Sequence, residues 1–262
     1  MYDETNENRG MMTMITSVQN KMVKEWKKLH KRKYRYEQRR FLVEGFHLIE
    51  EAFESDWDIE MVIVQNGVDA PDWMGDDGIS VVSERVFKEI TQTESPQGIA
   101  AIIQMKQLPN QRKNHVLLID AVQDPGNLGT IIRTADAAGF SSVCLGTGTV
   151  DPFNEKVIRA SQGSIFHIPI YSANLSEEIE KLKAKSFTIF ASALQRAKHY
   201  LDVEYNEKTA LIVGNEGAGI QEELLQLADE VIKIPIYGKA ESLNVSVAAG
   251  ILMYQMRNYL HK

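Results

Sequence analysis

Four polar residues in the C-terminal half of the chain, Asn127, Arg133, Glu216 and Asn244, stand in or beside three loops that leave apolar strands. Side chains of these types either hold a ligand or serve as caps and pairs within the fold. The last loop leaves the β-branched stretch from Val231 to Ile236 and ends in Glu241-Ser-Leu-Asn244. Ser242 takes the N-cap position of an apolar helix carrying Val245, Ala248, Ala249, Leu252 and Met256. Free N–H groups and the positive end of the helix dipole favour electron-rich ligand atoms there. Glu241, Ser242 and Asn244 serve equally as plain helix caps, so both readings stand.

The first loop runs from Asp120 through Asn127 into a helix beginning near Thr130 and ending at Gly139. Arg133 lies less than two turns beyond Asn127 and addresses the same space if it bends toward the loop. The alternative is structural, with Asn127 a cap and Arg133 paired to Asp136. The second loop, Gly214-Asn-Glu-Gly-Ala-Gly219, is a glycine turn after a buried strand. Its spacing approaches that of a phosphate-binding loop, but Ile220 and Gln221 stand where Lys and Ser or Thr are needed, and Glu216 would repel a pyrophosphate. A neutral or cationic ligand suits it better, and a plain tight turn is the alternative.

The elements behind these loops alternate. Strands are expected at 115–120, 143–146, 187–192 and 209–213, with helices between them, including one at 154–162. This rhythm predicts a mostly parallel sheet with helices on both faces, whose ligand-binding loops lie at the strand C-terminal ends. Ahead of it, strands at 59–64 and 98–105 and helices after Phe41 and at 84–90 form a smaller α/β unit. Residues 1–14 read as a disordered lead-in, 15–105 as the first domain, 106–114 as a polar linker and 115–262 as the second domain.

The formal charge of −7 is unevenly spread. Residues 21–40 hold ten Lys or Arg against Glu25 and Glu37, a balance of +8 that leaves the rest near −15. With Trp26, Tyr34 and Tyr36 interleaved, this segment, read as one helix from Ser17 to about Tyr36, offers RNA both phosphate contacts and stacking faces; a solvated amphipathic helix is the plainer account. The lone Cys144 sits in a strand and reads as an inert buried thiol, and the six histidines show no metal-ligand spacing. No apolar run spans a bilayer and the N-terminus lacks signal-peptide features, so a cytoplasmic protein without membrane contact is expected.

Jointly, Asn127-Leu-Gly-Thr-Ile-Ile-Arg133, Gly214-Asn-Glu-Gly-Ala-Gly219 and Ile234-Pro-Ile with Ser242-Leu-Asn-Val-Ser246 resemble the three motifs of the SpoU, or TrmH-like, branch of the SPOUT RNA methyltransferases. Asp151 to Ser161 is also similar, with Glu155 where proline is frequent, and residues 17–105 are similar, more weakly, to the RNA-binding domain often fused in front. The resemblance implies methyl transfer from S-adenosylmethionine to a ribose 2′-hydroxyl of structured RNA, rRNA ahead of tRNA. It also implies a trefoil knot in the C-terminal domain, an exception to the rule against threading, and a homodimer with its active site at the interface. It gives Asn127, Arg133, Glu216 and Asn244 the catalytic roles. It further implies that Thr147, Gly214, Gly219, Ile234, Ser242 and Leu243 hold the cofactor. No metal is expected, because in-line transfer from a sulfonium needs mainly alignment. A non-catalytic RNA-binding or ribosome-assembly factor of the same fold is the alternative.

Overall fold

The computed structural model describes residues 14–74, 78–109 and 113–259. Apart from Met14, the lead-in falls outside these residues. The chain divides into two compact units, one up to Met105 and one from Lys106.

The first unit contains α1 (Lys21–Lys28), α2 (Arg32–Gln38), β1 (Arg40–Glu44), α3 (Phe46–Glu54), β2 (Ile59–Gln65), β3 (Ile79–Val82), α4 (Glu84–Ile90) and β4 (Ile99–Gln104). Its sheet is mixed, in the order β1-β4-β2-β3, with β4 antiparallel to β1 and β2 and with β2 parallel to β3. Val23, Trp26 and Leu29 pack on Ile63, Val82, Phe87 and Ile102, so helical spacing delivers one apolar stripe to the core.

The basic segment expected as one helix is two. The chain turns over Leu29 to Lys31, and the guanidinium of Arg35 reaches back, its Nη1 donating to the carbonyls of Leu29 at 2.8 Å and His30 at 2.9 Å. Arg35 is 4% exposed. One of the ten cations read as RNA contacts is therefore structural, satisfying carbonyls left open at a helix end.

The second unit contains β5 (His115–Ile119), α5 (Pro125–Ala137), β6 (Ser142–Leu145), α6 (Glu155–Ser161), β7 (Ile170–Ser172), α7 (Leu175–Lys183), β8 (Thr188–Ser192), β9 (Lys198–His199), β10 (Thr209–Val213), α8 (Glu222–Leu227), β11 (Glu230–Lys233) and α9 (Val245–Tyr259). Its seven strands run in the order β7-β6-β5-β10-β8-β11-β9, every described pair parallel. Side chains alternate across the sheet. Leu117 and Ile119 join α5 and α9 residues on one face; Val116 and Leu118 join α7 and α8 residues on the other. Because β5 and β10 are neighbours while β6 and β8 lie outward on opposite sides, strand order reverses between them, and loops at such a point open onto a crevice.

Three boundaries differ from expectation. Helix α5 begins at Pro125, not near Thr130: Asp124 caps it by accepting from the Asn127 N–H at 2.8 Å, and Pro125 fits the first turn. Asn127 is thus in a helical turn. Strand β11 stops at Lys233, short of Ile236, and α9 is capped by Asn244 rather than Ser242, its Oδ1 accepting from the Ser246 N–H at 2.8 Å. The half-exposed β7, the two-residue β9 and helices α7 and α8 were not anticipated. Glu155 opens α6 behind the Asn154 cap, a first-turn position whose dipole suits an acidic residue.

Arg35→Ala leaves two carbonyls at the α1 end without their donor and is expected to cost about 1–3 kcal/mol in urea unfolding. Lys33→Ala, on the exposed face, is expected to stay within about 0.5 kcal/mol. Equal small effects would show that Arg35 is not what closes the turn.

Candidate active site

Loop two is closed by hydrogen bonds of its own. Asn215 and Gly219 exchange backbone hydrogen bonds at 2.9 and 3.0 Å. The Asn215 Oδ1 accepts from the N–H groups of Gly217 and Ala218, both at 2.9 Å. These N–H groups are spent inside the turn and cannot cradle a phosphate, which agrees with the missing lysine. Gly214 permits the turn: a Cβ there would lie 2.3 Å from the Gly219 carbonyl carbon. Gly219 supplies the left-handed residue at φ 73°.

Three further bonds fix loop two to loop one. The buried Asp120 accepts from the Gln221 N–H at 2.8 Å and from its Nε2 at 2.6 Å. Asn215 Nδ2 donates to the Ala121 carbonyl at 2.8 Å. Ala121 adopts φ 56°, an uncommon conformation for alanine, at the root of loop one.

Across this junction the polar residues form one chain. Glu216 accepts from the N–H groups of Gln123 and Asp124, at 3.2 and 3.0 Å, and from Asn127 Nδ2 at 3.1 Å. Asn127 Oδ1 then accepts from Asn244 Nδ2 at 2.9 Å. Asn244 Oδ1 is committed to the α9 cap, where it also accepts from the Ser246 hydroxyl at 2.6 Å. A carboxylate at one end and backbone donors at the other leave a single consistent orientation for both amides, and each keeps a second N–H for a ligand. Burial acts to raise the Glu216 pKa, but hydrogen bonds from its own backbone and from Asn127, Asp124 and Gln123 outweigh it, holding the carboxyl below its ordinary range.

Beside this chain lies an open cleft of about 940 Å³, a size usual for small-molecule sites. It is lined by Gly214, Glu216, Gly219, Ile234, Ser242, Leu243 and Asn244 among others. Asn127, Arg133 and Thr147 do not line it. Thr147 is exposed on the turn after β6. Arg133 is exposed on α5 and makes no hydrogen bond or ion pair among the described residues. Six residues of helix set it about 9 Å along the axis from Asn127 and about 120° around it, on another face of α5. The sequence reading missed the loop after β8, from Ser192 to Arg196, and Glu222, Leu225 and Gln226 on α8, which line the far side of the cleft. That loop also leaves the C-terminal end of a parallel strand, the one signal available beforehand. Among the described residues no cluster of His, Cys, Asp or Glu is placed to hold a metal, and no helix is long and apolar enough to cross a membrane.

Fold and site together define an α/β domain that holds an organic ligand over the C-terminal ends of a parallel sheet. The chain belongs to the SpoU rRNA methylase family, whose model matches residues 114–254; a model of the MRM3-like substrate binding domain matches residues 20–101. It is 48% identical to the 23S rRNA (guanosine(2553)-2′-O)-methyltransferase RlmP of Bacillus subtilis, over 94% of this chain and 100% of that protein. The AdoMet-bound rRNA methyltransferase from Sinorhizobium meliloti superposes with a TM-score of 0.84 at 34% identity, covering 94% of this chain and 98% of that one. An RNA 2′-O ribose methyltransferase superposes with a TM-score of 0.82 at 31% identity over 95% and 100% of the two chains.

The lowered Glu216 pKa carries a sign. Its stabilisation is complete above the unfolded carboxylate value of about 4.3 and is lost as pH falls through the lower folded value. Wild type is therefore expected to lose more unfolding stability than Glu216→Gln between about pH 5 and pH 3, measured by urea titration. Equal losses would mean that the carboxylate is not held as described.

Proposed function

We propose that the chain transfers a methyl group from S-adenosylmethionine to a ribose 2′-hydroxyl of 23S rRNA, at the guanosine named for the Bacillus subtilis relative. The observation that carries this reading is the chain Glu216–Asn127–Asn244, which joins all three motif loops at the mouth of the cleft. A non-catalytic RNA-binding factor would have no need of two amides locked with spare donors facing a ligand.

The cleft fits the cofactor. Its walls combine apolar side chains, Ile234, Ile236 and Leu243, with the bare backbone of Gly214 and Gly219, and Glu216 gives it a negative end that suits a cation. Gly214, Gly219, Ile234, Ser242 and Leu243 would hold S-adenosylmethionine, whose sulfonium supplies an electrophilic methyl group when bound. Thr147, outside the lining, is left as a position beyond the cleft rather than a direct contact.

The residues of the chain then have separate tasks. Glu216, with three hydrogen bonds from loop one and a lowered pKa, is too weak a base to take the hydroxyl proton and acts as a positioning residue. Asn127 and Asn244 present their second N–H groups to the hydroxyl oxygen and stabilise it as it takes the methyl group and gives up its proton to water in the open cleft. Arg133 adds positive charge near that oxygen or the adjoining phosphate.

Arg133 reaches the site of a second copy. Val247, Ile251 and Tyr254, at helical spacing on α9, are 51, 37 and 45% exposed. An added Cβ at Gly250 would lie 3.5 Å from Thr134 of α5, so α5 and α9 pack side by side. A two-fold dimer through this face would cover the apolar stripe and carry Arg133 toward the partner's amides. The first unit would recruit RNA through exposed Lys31, Arg32, Lys33 and Tyr36, over whose ring Arg32 lies at 5.4 Å. The reaction belongs in the cytoplasm with the ribosome, and the trefoil knot would fix the three loops against one another.

The test is transfer of labelled methyl to 23S rRNA from cells lacking the protein; label in a single nuclease-resistant dinucleotide is the expected result. No transfer, with cofactor binding intact, would favour the binding factor. Arg133→Ala and Asn127→Ala are each expected to bind S-adenosylmethionine yet lose transfer by at least about 100-fold. Re-formed from a mixture of the two, dimers with the site shared across subunits should recover about one quarter of wild-type activity, and none if each site lies within one subunit.

A further inference from the structure

The loop between β11 and α9 carries a residue that neither the motifs nor the hydrogen-bonded chain employs. Tyr237 is 92% exposed, whereas a tyrosine ring ordinarily buries most of its apolar face. Among the described residues it makes no hydrogen bond and no ring contact. Its placement is nevertheless fixed from both sides. Ile236 before it, and Ser242, Leu243 and Asn244 after it, line the cleft, and Asn244 is pinned by Asn127 and by the α9 cap. The tip between these anchors stands clear of the body, since a Cβ added at Gly238 would meet nothing within 4 Å. The loop therefore projects a free aromatic face from the rim of the site where the ribose must enter.

Charge does not account for this loop, because the exposed Lys239 is offset by Glu241. Stacking does. Sequence-specific recognition of structured RNA targets loops and bulges whose unstacked bases are held on aromatic side chains. We propose that Tyr237 is the stacking platform for a base of the substrate RNA, either the target nucleotide's own or its immediate neighbour. This rests on the RNA 2′-O-methylation reading above and adds the residue that holds the nucleotide unstacked.

The experiment measures the affinity of the full-length protein, in the presence of saturating S-adenosylmethionine, for deproteinised 23S rRNA from cells lacking the protein, together with methyl transfer. Tyr237→Ala should weaken RNA binding and raise the RNA KM by about 10- to 100-fold, as loss of one stacked base does. Cofactor affinity and the mass in solution should stay unchanged. Tyr237→Phe should keep wild-type affinity, since stacking needs the ring and not the hydroxyl. Unchanged RNA affinity and KM in Tyr237→Ala would overturn the proposal, and so would a changed mass, which would make Tyr237 a subunit contact. If wild type bound this RNA without methylating it and Tyr237→Ala still weakened binding, the stacking role would stand and the reaction assignment would fall.

Discussion

The carboxylate of Glu216, taking three donors from loop one across the boundary between two parallel strands, is the interaction on which the site depends. It works because β5 and β10 are paired in register, Ile119 opposite Val213, so that the loops leaving them start side by side. Asp120 then binds Gln221, and Asn215 binds Ala121, before either loop has diverged. Loop three joins only at the end of the chain, through Asn127 and Asn244, although 117 residues separate them. Three segments distant in sequence thus share one polar network, and a change at one end alters the amide orientation at the other.

The same network explains why the glycine loop is not a phosphate site. Loops that hold phosphate leave their N–H groups pointing outward, toward the anion. Here Gly217, Ala218 and Gly219 turn theirs inward, to Asn215. The outward group is instead a carboxylate kept ionised by its donors. The loop has the length and glycine content of an anion binder with the opposite electrostatic sense.

Much of this was legible in the sequence. Buried parallel strands such as Thr209–Val213 announce themselves as short β-branched runs, and residues at their C-terminal ends are the informative ones in any such sheet. What was misjudged was governed by side-chain hydrogen bonds that periodicity does not encode. Basic residues at helical spacing gave no sign that Arg35 would fold back on Leu29 and His30 and split the helix. Asn244 rather than Ser242 caps α9 because only the asparagine links the cap to Asn127. Asp124-Pro125 was a readable helix start, and reading it would have placed Asn127 and Arg133 on one rigid helix.

That placement decides how Arg133 contributes. On a flexible loop, Asn127 could have swung toward Arg133, but in the first turns of α5 the two are held about 120° apart. Gly129, between them, is packed so closely on α6 that a Cβ would come within 2.5 Å of Ala160. Rotating the helix to bring Arg133 round would drive that contact into a clash. In the proposed two-fold dimer, the face of α5 that turns away from its own amides would meet the amides of a second copy. Under that symmetry the exposed α9 stripe and the Arg133 guanidinium, unpaired among the described residues, would have one cause, as parts of a surface that a second copy completes.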